Sequence, residues 1–264
     1  MSTEGSRRSA TPPEAVRKLA TARQVRLAWE NEDALTFEVG VGPDRCFVKW
    51  AHAGSPLDLA AEAARMTWAV AYTPVPRVLD LGTDGDGSWL VTAALPGSNA
   101  VSQRWLADPR TAVIAIGEGL RAMHDALPVA DCPFSWTAQD RVAAARRAAA
   151  AGRLDTSDWH PEHAELGIEG AITRVHDIPV ADKLVVCHGD ACAPNTLIAG
   201  SGRSSGHVDL GDLGVADRWA DLAVATWSAE WNYGPGWEKL LLDAYGVSPD
   251  PERTRYYRLL WDLG

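Results

Sequence analysis

The chain has 264 residues, 46% of them hydrophobic and 23% charged, and its 35 acidic against 25 basic side chains give a net charge of −10. No apolar run approaches the roughly 18 residues of a membrane span, and the polar, proline-bearing start is expected to carry no signal peptide. The acidity argues against broad duplex binding, which draws its affinity from cations on phosphate, and it suits a cationic ligand. The four cysteines, Cys46, Cys132, Cys187 and Cys192, show no paired spacing. That pattern fits a reduced, cytoplasmic chain without a zinc site of the usual kind.

In chain order, residues 1–12 are expected to form a disordered tail. Pro12, Pro13 and Glu14 then open a short helix. Short β-prone runs follow at Val25 to Trp29, Leu35 to Val41 and Cys46 to Trp50, the last two joined by a turn over Gly40 to Arg45. Leu57 to Val70 reads as a helix with Leu57, Ala60, Ala61, Ala64 and Trp68 on one stripe. PVPRVLDLG and SWLVTAALPG read as two more strands around the turn TDGDG. These elements predict a small α+β lobe over residues 13–95. Residues 96–264 are mainly helical, with helices predicted over Thr111 to Ala126, Ala138 to Ala151, Pro161 to His176, Ala216 to Trp231, Gly236 to Tyr245 and Pro251 to Leu260. Two apolar strands, Leu184 to Cys187 and Thr196 to Ala199, interrupt them.

Chemistry concentrates after those strands. The first runs into His188-Gly189-Asp190-Ala191-Cys192-Ala193-Pro194-Asn195, and Asp209-Leu210-Gly211 begins fourteen residues after Asn195. Side chains at strand ends are open to a ligand. One carboxylate there can accept a proton from an attacking hydroxyl, while an amide oxygen and a second carboxylate suit Mg²⁺, a hard cation. HxDxxxxN followed by DxG is the set that phosphoryl transfer from ATP requires. Upstream, Lys49 is the one charge inside the strand Cys46 to Trp50, and Glu62 follows thirteen residues later on the apolar helix. Alone, Lys49 reads as an edge-strand gatekeeper. Beside the downstream motif it reads as a phosphate-holding lysine with a helix glutamate as partner.

Weaker patterns resolve as ordinary structure. Gly202-Arg203-Ser204-Ser205-Gly206 lacks the strand-turn-helix context of an esterase elbow and reads as a hairpin turn. His160-x-x-His163 reads as a helix start rather than a metal pair. TDGDG lacks the terminal Glu of a Ca²⁺ loop.

VVCHGDACAPN…HVDLGDLGVADRWADLAVA closely resembles the aminoglycoside phosphotransferases, best the group acting on a 3′ or 3″ hydroxyl. LAAEAARMTW, PVPRVLDLG, WLVTAALPG, DCPF and the YYRLL-type last helix resemble the same family. The resemblance implies an α+β, protein-kinase-like fold of two lobes, with ATP, or alternatively GTP, and Mg²⁺. It implies Asp190 as catalytic base with His188 supporting the loop, and Asn195 and Asp209 as Mg²⁺ ligands. Lys49 would contact the α- and β-phosphates with Glu62 as partner. Ala93 and Leu95 would meet adenine through backbone groups, and Phe47 would pack on its ring. Asp212, Glu230, Asp262, Gly264, Glu162 and Glu165 fall on segments that face a cationic small-molecule substrate in such a fold. The chain would bind neither nucleic acid nor membrane, and would be a monomer or weak dimer. The family's nucleotide-covering loop usually carries glycine and serine, whereas Trp29 to Thr36 has neither. Asp212 stands where several relatives have a basic residue, and the chain end lacks their two acidic residues and aromatic. Other acceptors, such as a macrolide, a peptide antibiotic, a sugar or an amino alcohol, and a nucleotide-binding pseudokinase are the alternatives.

Overall fold

The structure, a computed structural model, describes residues 11–264; the expected tail lies outside the described residues up to Ala10. The chain divides into two compact units, one running to Val70 and resuming at Pro76–Leu95, the other comprising Ala71–Val75 and Pro96–Gly264. Ala71–Val75 belongs with the second unit, where the His207 N–H donates to the Pro74 carbonyl at 3.1 Å.

The first unit opens with helix α1 (Glu14–Ala20), followed by strands β1 (Val25–Glu30), β2 (Ala34–Val39) and β3 (Cys46–His52). Helix α2 (Leu59–Ala69) and strands β4 (Val78–Thr83) and β5 (Gly87–Ala93) complete it. The sheet is antiparallel in the order β1-β2-β3-β5-β4. Alternation along β3 buries Cys46 and Val48 among Val16, Phe37, Val39 and Val91 and turns Phe47 and Lys49 to the opposite face. Asp58 caps α2 by accepting the Ala61 N–H at 2.9 Å, satisfying a donor the first turn leaves free.

The glycine-free stretch between β1 and β2 closes by side-chain chemistry. Asn31 Oδ1 accepts the N–H groups of Asp33 and Ala34 at 3.1 and 2.8 Å, and Asn31 N–H donates to the Ala34 carbonyl at 3.1 Å. An asparagine turn of this kind mimics a backbone turn. In TDGDG, Asp84 Oδ1 likewise accepts from Asp86 and Gly87.

The second unit contains β6 (Ser98–Asn99), α3 (Gln103–Leu106), α4 (Pro109–Ala126), α5 (Ala138–Ala150), α6 (Pro161–Ala164) and α7 (Gly167–Arg174). Strands β7 (Leu184–Cys187), β8 (Thr196–Ile198), β9 (Ser204–His207) and β10 (Gly214–Asp217) come next, then α8 (Trp219–Tyr233), α9 (Glu238–Tyr245) and α10 (Pro251–Asp262). α4, α8, α9 and α10 surround an apolar core that includes Ile116, Leu120, Leu222, Leu241 and Leu260. β7 pairs with β10, and β8 lies between β6 and β9.

Two expectations need correction. The helix predicted over Pro161 to His176 is two helices, because Gly167 adopts φ +61°, a conformation that glycine alone enters at no steric cost. The helix predicted from Ala216 begins at Trp219, since Gly214–Asp217 pairs with β7; tertiary pairing overrides the helix propensity of Ala216.

Candidate active site

β7 delivers the chain, fully buried at Val186 and Cys187, to His188 at its end. Gly189 turns it with φ +89°, and a Cβ there would lie 2.4 Å from both Cβ and the carbonyl oxygen of Asp212. Only glycine lets these two segments approach so closely. His188 Nδ1 accepts the Asp190 N–H at 3.2 Å, while its Nε2 donates to the Val208 carbonyl at 2.9 Å. These partners assign the neutral imidazole with its proton on Nε2.

Asn195 ends a 3₁₀ turn opened by Pro194. Its Nδ2 donates to the Asp190 carbonyl at 3.0 Å and to Asp190 Oδ2 at 2.9 Å, which leaves the amide oxygen as an acceptor. Asp190 Oδ1 is buried with no hydrogen-bond partner among the described residues. Val208 ties the two halves of the motif together. Its N–H donates to the Asn195 carbonyl at 3.0 Å and its carbonyl accepts from His188. Asp209 follows directly with φ +62°, a left-handed conformation that costs a non-glycine residue on the order of 1 kcal/mol or more and clusters at functional sites. The Asn195 amide oxygen and the Asp209 carboxylate are oxygen donors of the kind that suits Mg²⁺.

Sequence reasoning missed the support beneath this loop. Asp221 on α8, with no exposed surface, accepts the N–H groups of His188 at 2.6 Å and Gly189 at 3.0 Å. His124 on α4 donates Nε2–H to the same carboxylate at 2.9 Å, and its Nδ1 shares a 2.8 Å hydrogen bond with the Tyr245 hydroxyl. Burial alone pushes the Asp221 pKa up, but the hydrogen bond and charge of His124, with the backbone N–H of His188, outweigh it and hold the carboxyl below its ordinary value. One α8 face continues the support: Ser228 Oγ accepts the Ala193 N–H at 2.9 Å. The signal for Asp221 was a lone carboxylate in the apolar run WADLAVA. Burial and the Asp190 carboxylate push the neighbouring Cys192 thiol up, so it stays neutral. His207 packs its ring against His188 at 5.8 Å, and burial together with the neighbouring histidines lowers its pKa to about 3.

In the first unit, Lys49 Nζ donates to Glu62 Oε2 at 2.9 Å, joining β3 to the buried side of α2. Phe47 carries the Arg45 guanidinium over its ring at 5.6 Å. The Ala93 N–H donates to the Arg77 carbonyl at 2.9 Å, and the Leu95 carbonyl accepts from Arg45 Nη2 at 3.4 Å.

The acidic residues of the second unit divide. Glu162, Glu165 and Glu230 are exposed and Asp212 is half-buried against Gly189. Asp262 is engaged: its Oδ2 accepts from His163 Nδ1 at 2.6 Å and from the His160 N–H at 3.0 Å. Gly264 donates its N–H to the Trp261 carbonyl at 3.0 Å. No helix of the described residues is long and apolar enough to cross a membrane.

A model of the phosphotransferase enzyme family matches residues 24–257. The aminoglycoside 3′-phosphotransferase of Streptomyces fradiae is 41% identical over 220 residues, covering 78% of this chain and 80% of that protein. The streptomycin 3″-kinase of Streptomyces griseus is 37% identical over 230 residues, covering 80% and 82%. Among solved structures, aminoglycoside phosphotransferase APH(3″)-Id from Streptomyces rimosus matches with a TM-score of 0.80 at 28% identity, covering 94% of this chain and 95% of that one. The aminoglycoside-3′-phosphotransferase of type VIII matches with a TM-score of 0.80 at 30% identity, covering 95% and 98%. The α+β architecture is thus protein-kinase-like, and the chain belongs to the aminoglycoside phosphotransferase family.

Proposed function

We propose that this protein transfers the terminal phosphoryl group of ATP to a hydroxyl of an aminoglycoside. The observation that carries the reading is the Asp190 carboxylate: one oxygen is fixed by Asn195 and the other is buried without a partner among the described residues. That free oxygen is the acceptor an attacking hydroxyl needs. Asp190 orients the hydroxyl and takes its proton as the new O–P bond forms and the bond to the departing ADP breaks. Asn195 and Asp209 would hold Mg²⁺, which when bound would neutralise charge on the phosphates. Lys49, fixed by Glu62, holds the donor phosphates. Positioning and electrostatics supply most of the acceleration. Relatives that act on 3′ and on 3″ hydroxyls both support the acceptor class.

Transfer from labelled ATP to streptomycin, kanamycin and neomycin, with product position read by NMR, tests the reading. Asp190→Ala should abolish transfer and leave nucleotide binding in place. Near-normal turnover in that variant, or no transfer to any aminoglycoside by the wild type, would sink it.

A further inference from the structure

Strand β1 departs from a regular ladder just before the turn that joins it to β2. Arg26 stands opposite Glu38 and Leu27 opposite Phe37, but Trp29, not Ala28, then stands opposite Thr36, and Glu30 opposite Leu35. Ala28 is the extra residue of a β-bulge. Cross-strand partners share a face of the sheet. Phe37 and Leu35 lie on the apolar face, with Val16, Val39 and Val48. Thr36 lies on the other face, directly opposite Lys49 of β3.

The bulge exchanges two side chains. In a regular ladder Trp29 would join the apolar face and Glu30 would meet Ala34 on the face of Lys49. With the extra residue, Trp29 shares its face with Thr36 and Lys49 and is 55% exposed, while Glu30 turns to the face of Leu35. Bulges re-aim side chains in this way beside functional sites. β1 is also an edge strand, and a bulge discourages pairing at an edge. Edge protection by itself does not call for an exposed indole on the face that carries the lysine. The turn that follows has few main-chain donors to spare. The N–H groups of Asp33 and Ala34 go to Asn31 Oδ1, and that of Asn31 goes to the Ala34 carbonyl.

We propose that Trp29 is a donor-binding residue whose indole covers the phosphates of ATP held by Lys49 and gives its Nε1–H to a phosphate oxygen. This rests on the ATP-dependent reading above. The indole N–H is a donor only, so it supplies what the occupied main chain of the turn does not. Its rings shield the phosphates from water without adding charge. Turning Glu30 to the opposite face keeps a carboxylate away from the phosphates, where like charges would repel.

Calorimetry on the full chain, with ATP and Mg²⁺ titrated directly and adenosine by competition, tests the assignment. Trp29→Leu keeps an apolar side chain but has no donor. It should weaken ATP about tenfold, the low end of what a hydrogen bond to a charged group contributes, and leave adenosine unchanged. Glu30→Gln should keep ATP affinity within about twofold of wild type, because its charge lies across the sheet and is screened. Both variants should melt with wild type. Equal ATP affinity in wild type and Trp29→Leu, or equal losses for ATP and adenosine, would overturn the inference and leave the ATP reading intact. So would a several-fold gain in ATP affinity in Glu30→Gln, which would put that carboxylate on the phosphate side. No ATP binding by the wild type would overturn both.

Discussion

Asp221 holds the backbone of His188: its carboxylate accepts that N–H at 2.6 Å, and the next one, from Gly189, at 3.0 Å. A helix carboxylate thus sets the path of the loop that presents Asp190, and His124 locks the carboxylate from behind. Asp221→Ala would strand two backbone donors and the His124 ring in a dry interior. Removing one partner of a buried polar network costs about 3 kcal/mol or more. Urea unfolding should show that loss, and turnover should fall further than nucleotide affinity. Unchanged stability would contradict this role.

Gly189→Ala tests the close approach of the two loops. The added Cβ meets Asp212 backbone at 2.4 Å, and φ of +89° is strained for any L side chain. Neither neighbour is the flexible end of a side chain, so the loop itself must shift. We expect turnover to fall at least tenfold, on the order of the loss that small misplacements of a reacting group produce. Circular dichroism should remain native. Wild-type kcat in this variant would mean the loop path tolerates a Cβ.

Lys49 and Glu62 make a separable prediction. Lys49→Ala leaves the Glu62 carboxylate, only 4% exposed, without the cation at 2.9 Å. Stability should drop by about 1–3 kcal/mol, less than for a fully buried pair because Lys49 itself is partly solvated. KM for ATP should rise about tenfold or more. Adding Glu62→Gln should restore the melting temperature but not the KM, because it removes the carboxylate charge without replacing the phosphate ligand. Recovery of both would make the pair purely structural.

Acid should destabilise the nucleotide-free protein through His207. Its pKa falls to about 3 in the fold, against an ordinary 6.5, so below 6.5 the unfolded chain binds the extra proton and the folded chain does not. Stability from this group is complete above pH 6.5 and is lost progressively down to pH 3. By pH 5 the loss is about 2 kcal/mol. Asp221, held below its ordinary pKa, adds a loss of the same sign at lower pH. Chemical denaturation at pH 7.5 and pH 5 should show the difference, and His207→Gln should flatten it. A pH-independent midpoint would refute it.

Much of this protein was determined by local sequence. HGDACAPN and DLG each follow an apolar strand, and the spacing of Lys49 and Glu62 places a strand cation opposite a helix anion. Strand and helix periodicities need only near neighbours to be expressed, so the order of the major elements and the family could be read directly. The support of the site could not. His124 meets Asp221 across 97 residues and Tyr245 across 121, and His163 meets Asp262 across 99. No local pattern encodes such pairs, and each residue in isolation is an ordinary polar side chain. Ala216 and Asp217, read as the start of a helix, instead end the strand Gly214–Asp217, because β7 needs a partner for its backbone groups. Which carboxylates remain available to a cation was likewise a tertiary decision, since Asp262 is held by His163 of α6 and by that helix's N-cap, His160, while Glu230 faces solvent. The sequence by itself determined the chemistry that is present, and only the packing of distant segments decided how that chemistry is held.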